Sequence, residues 1–472
     1  MSLPVHDGLL VVVKRDCETC HLVVDVLDQI PDLVIASQDD PTFPHPDVID
    51  DTALELSWYL QTETTPTVYR IRDGEIVEQV AGWHRERWEE TTGISGLGPG
   101  LPDTRPGCGS IIFEPDVHER LLREHSDSAL RSRRVELGGS EDPFEAMFAR
   151  GWSDGLPLVP PTEERVERML AGTGRDPSDV VCVLAPDLVD CTVEKVAVNA
   201  VMAGCLPEYL PVVLAAVEAV ATDTFNIHGV AATTYFSSPI VIVNGPVTTR
   251  LGMNSGINVL GPGNRPNVTI GRALNLVIRN VGGSSPGGVD RATFGHPGKL
   301  SFCFPEDEAG SPWESLAVER GFEETQSTVT LFAGHGPTEI WDQLSRSAES
   351  LAGSFAGQLM RLTHTKLAIW FDAVVVVSPE HARVFREAGW SKDRLRGELL
   401  DRLTRPGSEL LQGADGIAEG MPESFAADDV PKFRPGGLWF VHAGGGAGLF
   451  SAILPGWSSG PRGSEMTTVA IR

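Results

Sequence analysis

A run rich in glycine and proline, GISGLGPGLPDTRPGCGS at 93–110, constrains the fold of this chain more than any other feature. It lacks the apolar periodicity that a helix or a strand would show. A chain of 472 residues is long enough for several domains, each with its own core. We therefore expect a domain at 1–95, a linker with a charged connector helix at 96–140, and a domain at 141–472 that has the length for two subdomains.

Charge and cysteine content limit the class of protein. The chain has 38 Lys and Arg residues against 65 Asp and Glu residues, a formal net charge of -27, so most of its surface should repel nucleic acid and anionic membranes. Its apolar runs are too short for a membrane span. An odd number of cysteines, seven, and no export signal indicate a reducing cytoplasm. We expect a cytoplasmic protein whose partners are a small molecule and a thiol or disulfide reductant system.

The N-terminal part alternates strand and helix patterns. Short β-branched apolar runs indicate buried strands, helical spacing of apolar residues follows them, and Asp73-Gly74 is a hairpin signal. The predicted strands lie at 9–13, 32–37, 64–71 and 75–80, and the predicted helices at 17–30, at 50–61 and from Trp83 onward. The order of elements is βαβαββα.

The motif Cys17-Glu18-Thr19-Cys20 opens the first predicted helix. Free N–H groups and the helix dipole at such a position favour a thiolate, so Cys17 is the candidate attacking thiolate and Cys20 the resolving thiol. Asp16 and Glu18 add negative charge beside Cys17. We expect them to destabilise the thiolate and to make the dithiol an electron donor.

The βαβαββα order, the Cys-x-x-Cys motif and the Thr65-Pro66 step together resemble the thioredoxin superfamily over roughly residues 5–95. The resemblance implies a thioredoxin-like fold for the N-terminal domain, oxidoreductase activity, and a cis peptide bond that lets Pro66 face the dithiol. A zinc site would need a second pair of ligands that the sequence does not supply, so we expect no metal and no cofactor. A thioredoxin-like domain that only docks a partner is the alternative.

The large domain has apolar runs at 239–243, 373–377 and 438–441, each followed by a turn. Such runs are typical of strands covered on both faces, and ligands of α/β sheets bind at strand C-terminal ends. We therefore expect a mixed α/β domain that binds a substrate. The segment 378–392 resembles an uncharacterised bacterial α/β family, which implies no particular reaction.

Cys205 and His228 are candidate reactive groups of the large domain. Cys205 precedes a predicted helix, where a thiol is activated as at Cys17; the alternative is a small buried apolar residue. His228 lies in a polar turn and could act as a base, as could His296 and His335.

A glycine- and asparagine-rich run at 252–272 carries many hydrogen-bonding groups and little apolar bulk. Before a predicted helix it suits a carboxylate or phosphate, and Gly444-Gly445-Gly446 after a strand suits an anion as well. The alternative is an ordered loop whose side chains satisfy its own turns. The candidate substrate-binding residues are Asn254, Ser255, Asn258, Asn264, Arg265 and Asn267.

These observations lead to one main hypothesis and one alternative. In the main hypothesis the Cys17/Cys20 dithiol donates electrons to the α/β domain, or resolves a thiol intermediate there with Cys205 as its partner, while that domain binds an anionic small molecule. In the alternative the large domain is a lyase or hydrolase that uses Cys205 or His228, and the thioredoxin-like domain is accessory.

Overall fold

The computed structural model has a mixed α/β architecture, which confirms the predicted class. It describes residues 3–125, 130–135, 137–138, 141–369, 371–457 and 465–472. Contacts divide the chain into two units, Met1–Glu136 and Leu137–Arg472. In the ranges described, no helix has the length and apolar character needed to cross a membrane.

The N-terminal unit is built on one mixed sheet. Its strands are β1 Gly8–Val13, β2 Leu33–Ser37, β3 Ile49–Asp50, β4 Thr64–Thr65, β5 Thr67–Arg72, β6 Glu75–Ala81, β7 Trp83–His84, β8 Thr104–Arg105 and β9 Cys108–Gly109, and its helices are α1 Glu18–Leu27, α2 Glu55–Tyr59, α3 Arg85–Thr92 and α4 Pro115–Glu124. The sheet order is β3-β2-β1-β5-β6. β1, β2 and β3 are parallel, whereas β5 is antiparallel to both β1 and β6.

The central strand β1 explains why this unit folds around its first helix. Its residues Leu10 to Val13 are completely buried. Val11 and Val13 pack with Val23 and Val26 of α1, while Leu10 and Val12 face the opposite side of the sheet. Because β-branched residues fill both faces, the strand reads as a continuous apolar run.

Two predicted elements differ in detail. α2 is shorter than the predicted helix at 50–61, because Leu54 has a φ of 65° and the helix begins only after it. The Asp51 carboxylate accepts hydrogen bonds from the N–H groups of Leu56 and Ser57, which fixes that start. The predicted strand at 64–71 is divided into β4 and β5 at Pro66.

The glycine- and proline-rich run that we interpreted as a linker has ordered partners within the N-terminal unit. β8 pairs with β7, β9 pairs with β4, and the Arg85 guanidinium donates to the carbonyls of Leu97, Gly98 and Leu101. These bonds supply the backbone partners that the run cannot find within itself. The described part of the predicted connector helix is α4; residues 126–129, 136, 139 and 140 of that segment lie outside the described ranges.

The large unit contains two mixed sheets with helices on their outer faces. Its strands are β10 Val180–Leu184, β11 Val189–Thr192, β12 Ser238–Asn244, β13 Cys303–Pro305, β14 Thr328–Gly334, β15 Thr338–Trp341, β16 Phe371–Val377, β17 Thr404–Pro406, β18 Asp429–Pro431, β19 Phe433–His442, β20 Phe450–Pro455 and β21 Thr467–Ala470. Its helices are α5 Pro143–Ala149, α6 Glu163–Leu170, α7 Val193–Ala203, α8 Leu210–Val220, α9 Ile227–Ala232, α10 Val247–Arg250, α11 Arg265–Asn280, α12 Leu316–Glu319, α13 Ala348–Met360, α14 Pro379–Glu387, α15 Lys392–Arg402 and α16 Gly407–Leu410.

The two sheets have the orders β13-β12-β14-β21 and β15-β20-β16-β19. They pack face to face through residues such as Ile240, Phe332 and Val374. On β16 the alternate residues Ala373 and Val375 face the other way, into a core shared with α13, α14 and α15. α8 and α11 cover the first sheet. β12, β14 and β16 are buried along their whole length, which accounts for the apolar runs at 239–243 and 373–377.

Candidate functional site

The two thiols of the Cys-x-x-Cys motif lie together at the start of α1. Cys17 is the N-cap residue of the helix, and its sulfur accepts a hydrogen bond of 3.3 Å from the backbone N–H of Cys20. The Cys17 thiol, when protonated, donates to the Thr65 carbonyl oxygen at 3.3 Å, next to the cis peptide bond between Thr65 and Pro66. Cys17 is only 3% exposed and Cys20 is fully buried.

Hydrogen bonds separate the acidities of these thiols. The Cys20 thiol donates to the Cys17 sulfur, which lowers the pKa of Cys17 despite its burial. The Cys108 thiol, the Cys20 backbone N–H and the Thr65 side chain make smaller contributions in the same direction. The pKa of Cys20 is raised, mainly by burial and to a smaller extent by the same hydrogen bond to Cys17. The arrangement therefore holds a thiolate at Cys17 and a proton at Cys20.

The carboxylates of Asp16 and Glu18, which we expected to destabilise the thiolate, do not decide the pKa of Cys17: hydrogen bonds outweigh burial there and shift that pKa downward. The Glu18 carboxylate is exposed and forms an ion pair with Arg105 at 2.5 Å. Asp16 is exposed as well, and its backbone N–H donates to Asp39. Solvent screens carboxylates at such positions, whereas the hydrogen bonds act at direct contact.

Cys108 is a third thiol at this site, and it lies in the run that the sequence indicated as a linker. It lies on β9, directly opposite Thr65 of β4. Its sulfur hydrogen-bonds to the Cys17 sulfur and accepts from the backbone N–H groups of Thr19 and Glu18, while burial raises the pKa of Cys108. The only signal in the sequence is a cysteine within a glycine- and proline-rich run, which gives no register.

Cys205 and His228, the predicted reactive groups of the large unit, have different environments. Cys205 is 7% exposed and its thiol donates to the Thr269 carbonyl at 3.3 Å. Burial raises the pKa of Cys205 to about 12, so the thiol is neutral at physiological pH. His228 is exposed in the first turn of α9. In the described ranges no hydrogen bond joins the two residues.

The predicted anion-binding loop uses its own side chains to hold its shape. Asn254 and Asn267 bond reciprocally, the Asn267 amide donating to the Asn254 carbonyl at 2.9 Å. Asn264 caps α11 by accepting from the Asn267 N–H. The Arg265 guanidinium donates to the Gly204 carbonyl.

The remaining members of the loop are held in the same way. The Asn258 amide donates to the Pro262 carbonyl, and the Ser255 carbonyl accepts from the N–H of Gly444. These contacts are the ones expected of an ordered loop whose side chains satisfy its own turns. Anion binding by the loop stays a prediction.

A second cysteine pair lies in the large unit, where the sequence analysis did not place one. Cys182 of β10 and Cys191 of β11 are directly opposite in an antiparallel hairpin. Their sulfurs hydrogen-bond, which lowers the pKa of Cys182 and raises that of Cys191. The available signal was a pair of cysteines flanking a short turn, CVLAPDLVDC.

A cavity of about 590 Å³ in the large unit contains a serine and histidine in contact. The Ser238 hydroxyl lies 3.0 Å from Nε2 of His296. Burial, together with the charges of His335 and Lys299, lowers the pKa of His296 to about 4, so the imidazole is neutral at physiological pH. Lys299 also lines the cavity and pairs with Asp290 at 2.7 Å.

Comparison of the chain with protein-family models, with curated proteins and with solved structures found no match.

Proposed function

We propose that the N-terminal unit is a thiol–disulfide oxidoreductase with a thioredoxin-like fold, in which Cys17 and Cys20 alternate between a dithiol and a disulfide. One observation carries the proposal: the Cys17 sulfur sits at the start of α1 and accepts hydrogen bonds from the backbone N–H and the thiol of Cys20. Such contacts stabilise the thiolate, which is the reacting form of cysteine.

Each chemical role follows from the position of its group. The Cys17 thiolate attacks a sulfur of a partner disulfide and displaces one partner thiolate, which takes up a proton. Cys20 then loses its proton, attacks Cys17 and releases the second partner thiol, so two electrons pass to the partner. The resemblance to the thioredoxin superfamily implies that Pro66 faces this dithiol, and the contact between Thr65 and Cys17 supports that role.

The direction of net electron flow depends on how stable the dithiol is relative to the disulfide. The sequence predicted electron donation from a destabilised thiolate. Hydrogen bonds to Cys17 instead stabilise the reduced form, and a couple with a stabilised reduced form is the stronger oxidant. We therefore propose that the Cys17–Cys20 disulfide runs the exchange in the opposite direction and takes electrons from partner dithiols.

Within the large unit, the partner predicted from the sequence was Cys205. A two-electron exchange needs two thiols that can join, and Cys182 and Cys191 are in contact across their hairpin. The proposed internal partner is therefore the Cys182/Cys191 pair. A variant that combines Cys20→Ser with Cys108→Ser leaves Cys17 as the one thiol of this cluster, so it traps the mixed disulfide on Cys17, and peptide mapping identifies its partner. Failure to find any cysteine between 182 and 303 would remove the internal exchange.

The redox function is tested with insulin and dithiothreitol as substrates of the full chain. We expect the Cys17→Ser variant to reduce insulin at the uncatalysed rate and the Cys303→Ala variant to keep the wild-type rate. Cys303 is buried in the large unit, so its replacement removes a thiol without touching α1. A Cys17→Ser variant as active as wild type contradicts the proposal.

A second candidate function is favoured by the contact between Ser238 and His296. The sequence-based alternative was a lyase or hydrolase that uses Cys205 or His228. A hydroxyl hydrogen-bonded to a neutral imidazole is the arrangement of a nucleophile and its base. Esters that carry a carboxylate are the test substrates, because the sequence predicts an anionic small molecule. We expect His296→Ala to abolish hydrolysis of carboxylate-bearing esters and the exposed His228→Ala to preserve it. Equal loss in both variants contradicts the assignment to Ser238 and His296.

A further inference from the structure

We propose that Cys108 is the exchange thiol of the N-terminal unit: partner thiols react at Cys108, and Cys108 passes the disulfide to and from Cys17. This inference rests on the proposed redox function of Cys17 and Cys20. It assigns a third redox thiol to the site and makes the partner a protein or small molecule that carries an accessible thiol.

Exposure distinguishes the three thiols. Cys17 is 3% exposed and Cys20 not at all, whereas Cys108 is partly exposed. A partner sulfur must come into line with the sulfur that it attacks, so access limits thiol–disulfide exchange. Cys108 is the thiol of this cluster that a partner reaches without rearrangement.

The segment at 104–109 is held on both sides of the helix start, so Cys108 is fixed beside Cys17. The Thr19 hydroxyl donates to the Pro106 carbonyl at 2.7 Å. The Lys14 ammonium donates to the Gly109 carbonyl at 2.8 Å, and β9 pairs with β4. These contacts keep Cys17 covered and hold Cys108 packed against the apolar cluster that contains Cys17.

The exchange balances in three steps that start from the Cys17–Cys20 disulfide. Cys108 loses its proton, attacks Cys17 and displaces Cys20, which takes up a proton; the disulfide is now Cys17–Cys108. A partner thiolate then attacks Cys108 and displaces the Cys17 thiolate. The second partner thiol loses its proton and attacks the partner sulfur that is bonded to Cys108, and the released Cys108 takes up that proton. The partner is now a disulfide. The pair Cys17 and Cys20 has gained two electrons and one proton, and Cys17 is left as a thiolate.

Two contacts favour these steps. Backbone N–H groups of Glu18 and Thr19 donate to the Cys108 sulfur and stabilise negative charge there during its attack. Cys17, which is displaced by the partner, is the sulfur that receives the most hydrogen bonds as a thiolate. A well-stabilised thiolate is a good leaving group in disulfide exchange.

The test measures the reduction of the oxidised full chain by reduced glutathione, with acid quenching and peptide mapping. We expect Cys108→Ser to slow reduction of the Cys17–Cys20 disulfide at least about tenfold, since access limits the reaction, and to leave its equilibrium with glutathione unchanged. Cys303→Ala is the control. In the wild type, glutathione should be found on Cys108. A Cys20→Ser variant, once oxidised, should contain a Cys17–Cys108 disulfide.

The outcomes separate this inference from the redox function itself. A Cys108→Ser variant that is reduced at the wild-type rate, with glutathione on Cys17, overturns the role of Cys108 and leaves the redox function standing. If Cys17 and Cys20 form no disulfide at any glutathione ratio, the redox function has failed, and the role of Cys108 fails with it.

Discussion

The two cysteine pairs of this chain place similar thiols in different backbone settings. Cys17 and Cys20 are one helical turn apart at the start of α1, whereas Cys182 and Cys191 face each other across a hairpin. In both pairs one thiol donates to the other and lowers its pKa. The pairs differ in what else surrounds the thiolate.

Burial opposes the thiolate in both pairs, but at Cys17 further donors add to the effect of the neighbouring thiol. The Cys20 backbone N–H and the Cys108 thiol both donate to the Cys17 sulfur. At Cys182 no further donor follows the bond from Cys191 among the causes of the shift, and the Glu218 carboxylate opposes the thiolate in addition to burial. Helix starts supply free donors, and antiparallel strands use their N–H groups in the ladder. The comparison indicates that the first pair favours the dithiol and the second the disulfide.

The largest expected effect is on the stability of the fold, when Cys182 and Cys191 are oxidised. A disulfide between Cys182 and Cys191 closes a short loop, so we expect it to raise the free energy of unfolding by roughly 2 to 3 kcal/mol. The measurement compares denaturant unfolding of the oxidised and reduced chain in a Cys17→Ser background.

The Cys191→Ala variant in the same background is the control, because it cannot form that bond. An oxidised chain that is no more stable than this control would remove the difference between the two pairs. By contrast, we expect oxidation of the Cys17–Cys20 pair to lower stability, since it removes the stabilised thiolate.

Removing the donor to Cys17 should decrease the stabilisation of its thiolate by about 2 kcal/mol. Cys20→Ala deletes the thiol that donates to the Cys17 sulfur, and a hydrogen bond to a charged group contributes about 1.5 to 3 kcal/mol. We expect the pKa of Cys17 to rise by about one to two units. The ultraviolet absorbance of the thiolate against pH measures this shift.

Cys20→Ser is the matched variant, because its hydroxyl still donates to Cys17, and it should shift the pKa less. Equal shifts in the two variants would show that the donor has no role. The lowered pKa also sets a pH dependence: the thiolate stabilises the reduced fold fully above the pKa of an unfolded thiol, about 8.5. That stabilisation decreases as pH falls through the folded pKa of Cys17.

Local signals in the sequence were sufficient for some features of the first pair. The Cys-x-x-Cys motif at the end of an apolar run predicted a thiol at the N-cap, and Cys17 is that residue. The hairpin signal Asp73-Gly74 predicted the turn between β5 and β6, where both residues have positive φ. Each depends on neighbours within one turn of the chain, which sequence patterns describe well.

Contacts between distant segments were not available from such patterns. Cys108 reaches Cys17 because β9 pairs with β4, and Ser238 reaches His296 through folding of the large unit. The helix start correctly predicted a lowered pKa for Cys17, but the weight given to the neighbouring carboxylates was too large, because the sequence shows charges and does not show which thiols donate to Cys17. A register between two-residue strands depends on tertiary packing, not on local propensity.

The Gly107→Ala variant should change the alkylation rate of Cys17 about tenfold. A Cβ at Gly107 would lie 2.3 Å from the Thr64 side chain and 2.5 Å from the Thr65 carbonyl oxygen. The segment that carries Cys108 must therefore shift away from Cys17. We expect iodoacetamide to alkylate Cys17 about tenfold faster, because cover limits its reactivity.

Gly109→Ala is the matched control, since a Cβ there meets no atom within 4 Å. It should leave the alkylation rate at Cys17 unchanged. Equal rates in the two variants would mean that the segment at 104–109 does not limit access, and the difference in exposure between Cys17 and Cys108 would then lose its importance for exchange.

The smallest effect is expected at Cys205, a thiol that lacks the donors of Cys17. Its thiol is a donor to the Thr269 carbonyl, and burial keeps it neutral. We expect Cys205→Ala to lower the free energy of unfolding by about 1 kcal/mol, as for loss of one buried contact and hydrogen bond. The rate of insulin reduction should not change. A loss of activity with unchanged stability would return Cys205 to the reaction and would show that donors at a helix start are not required for a reactive thiol in this chain.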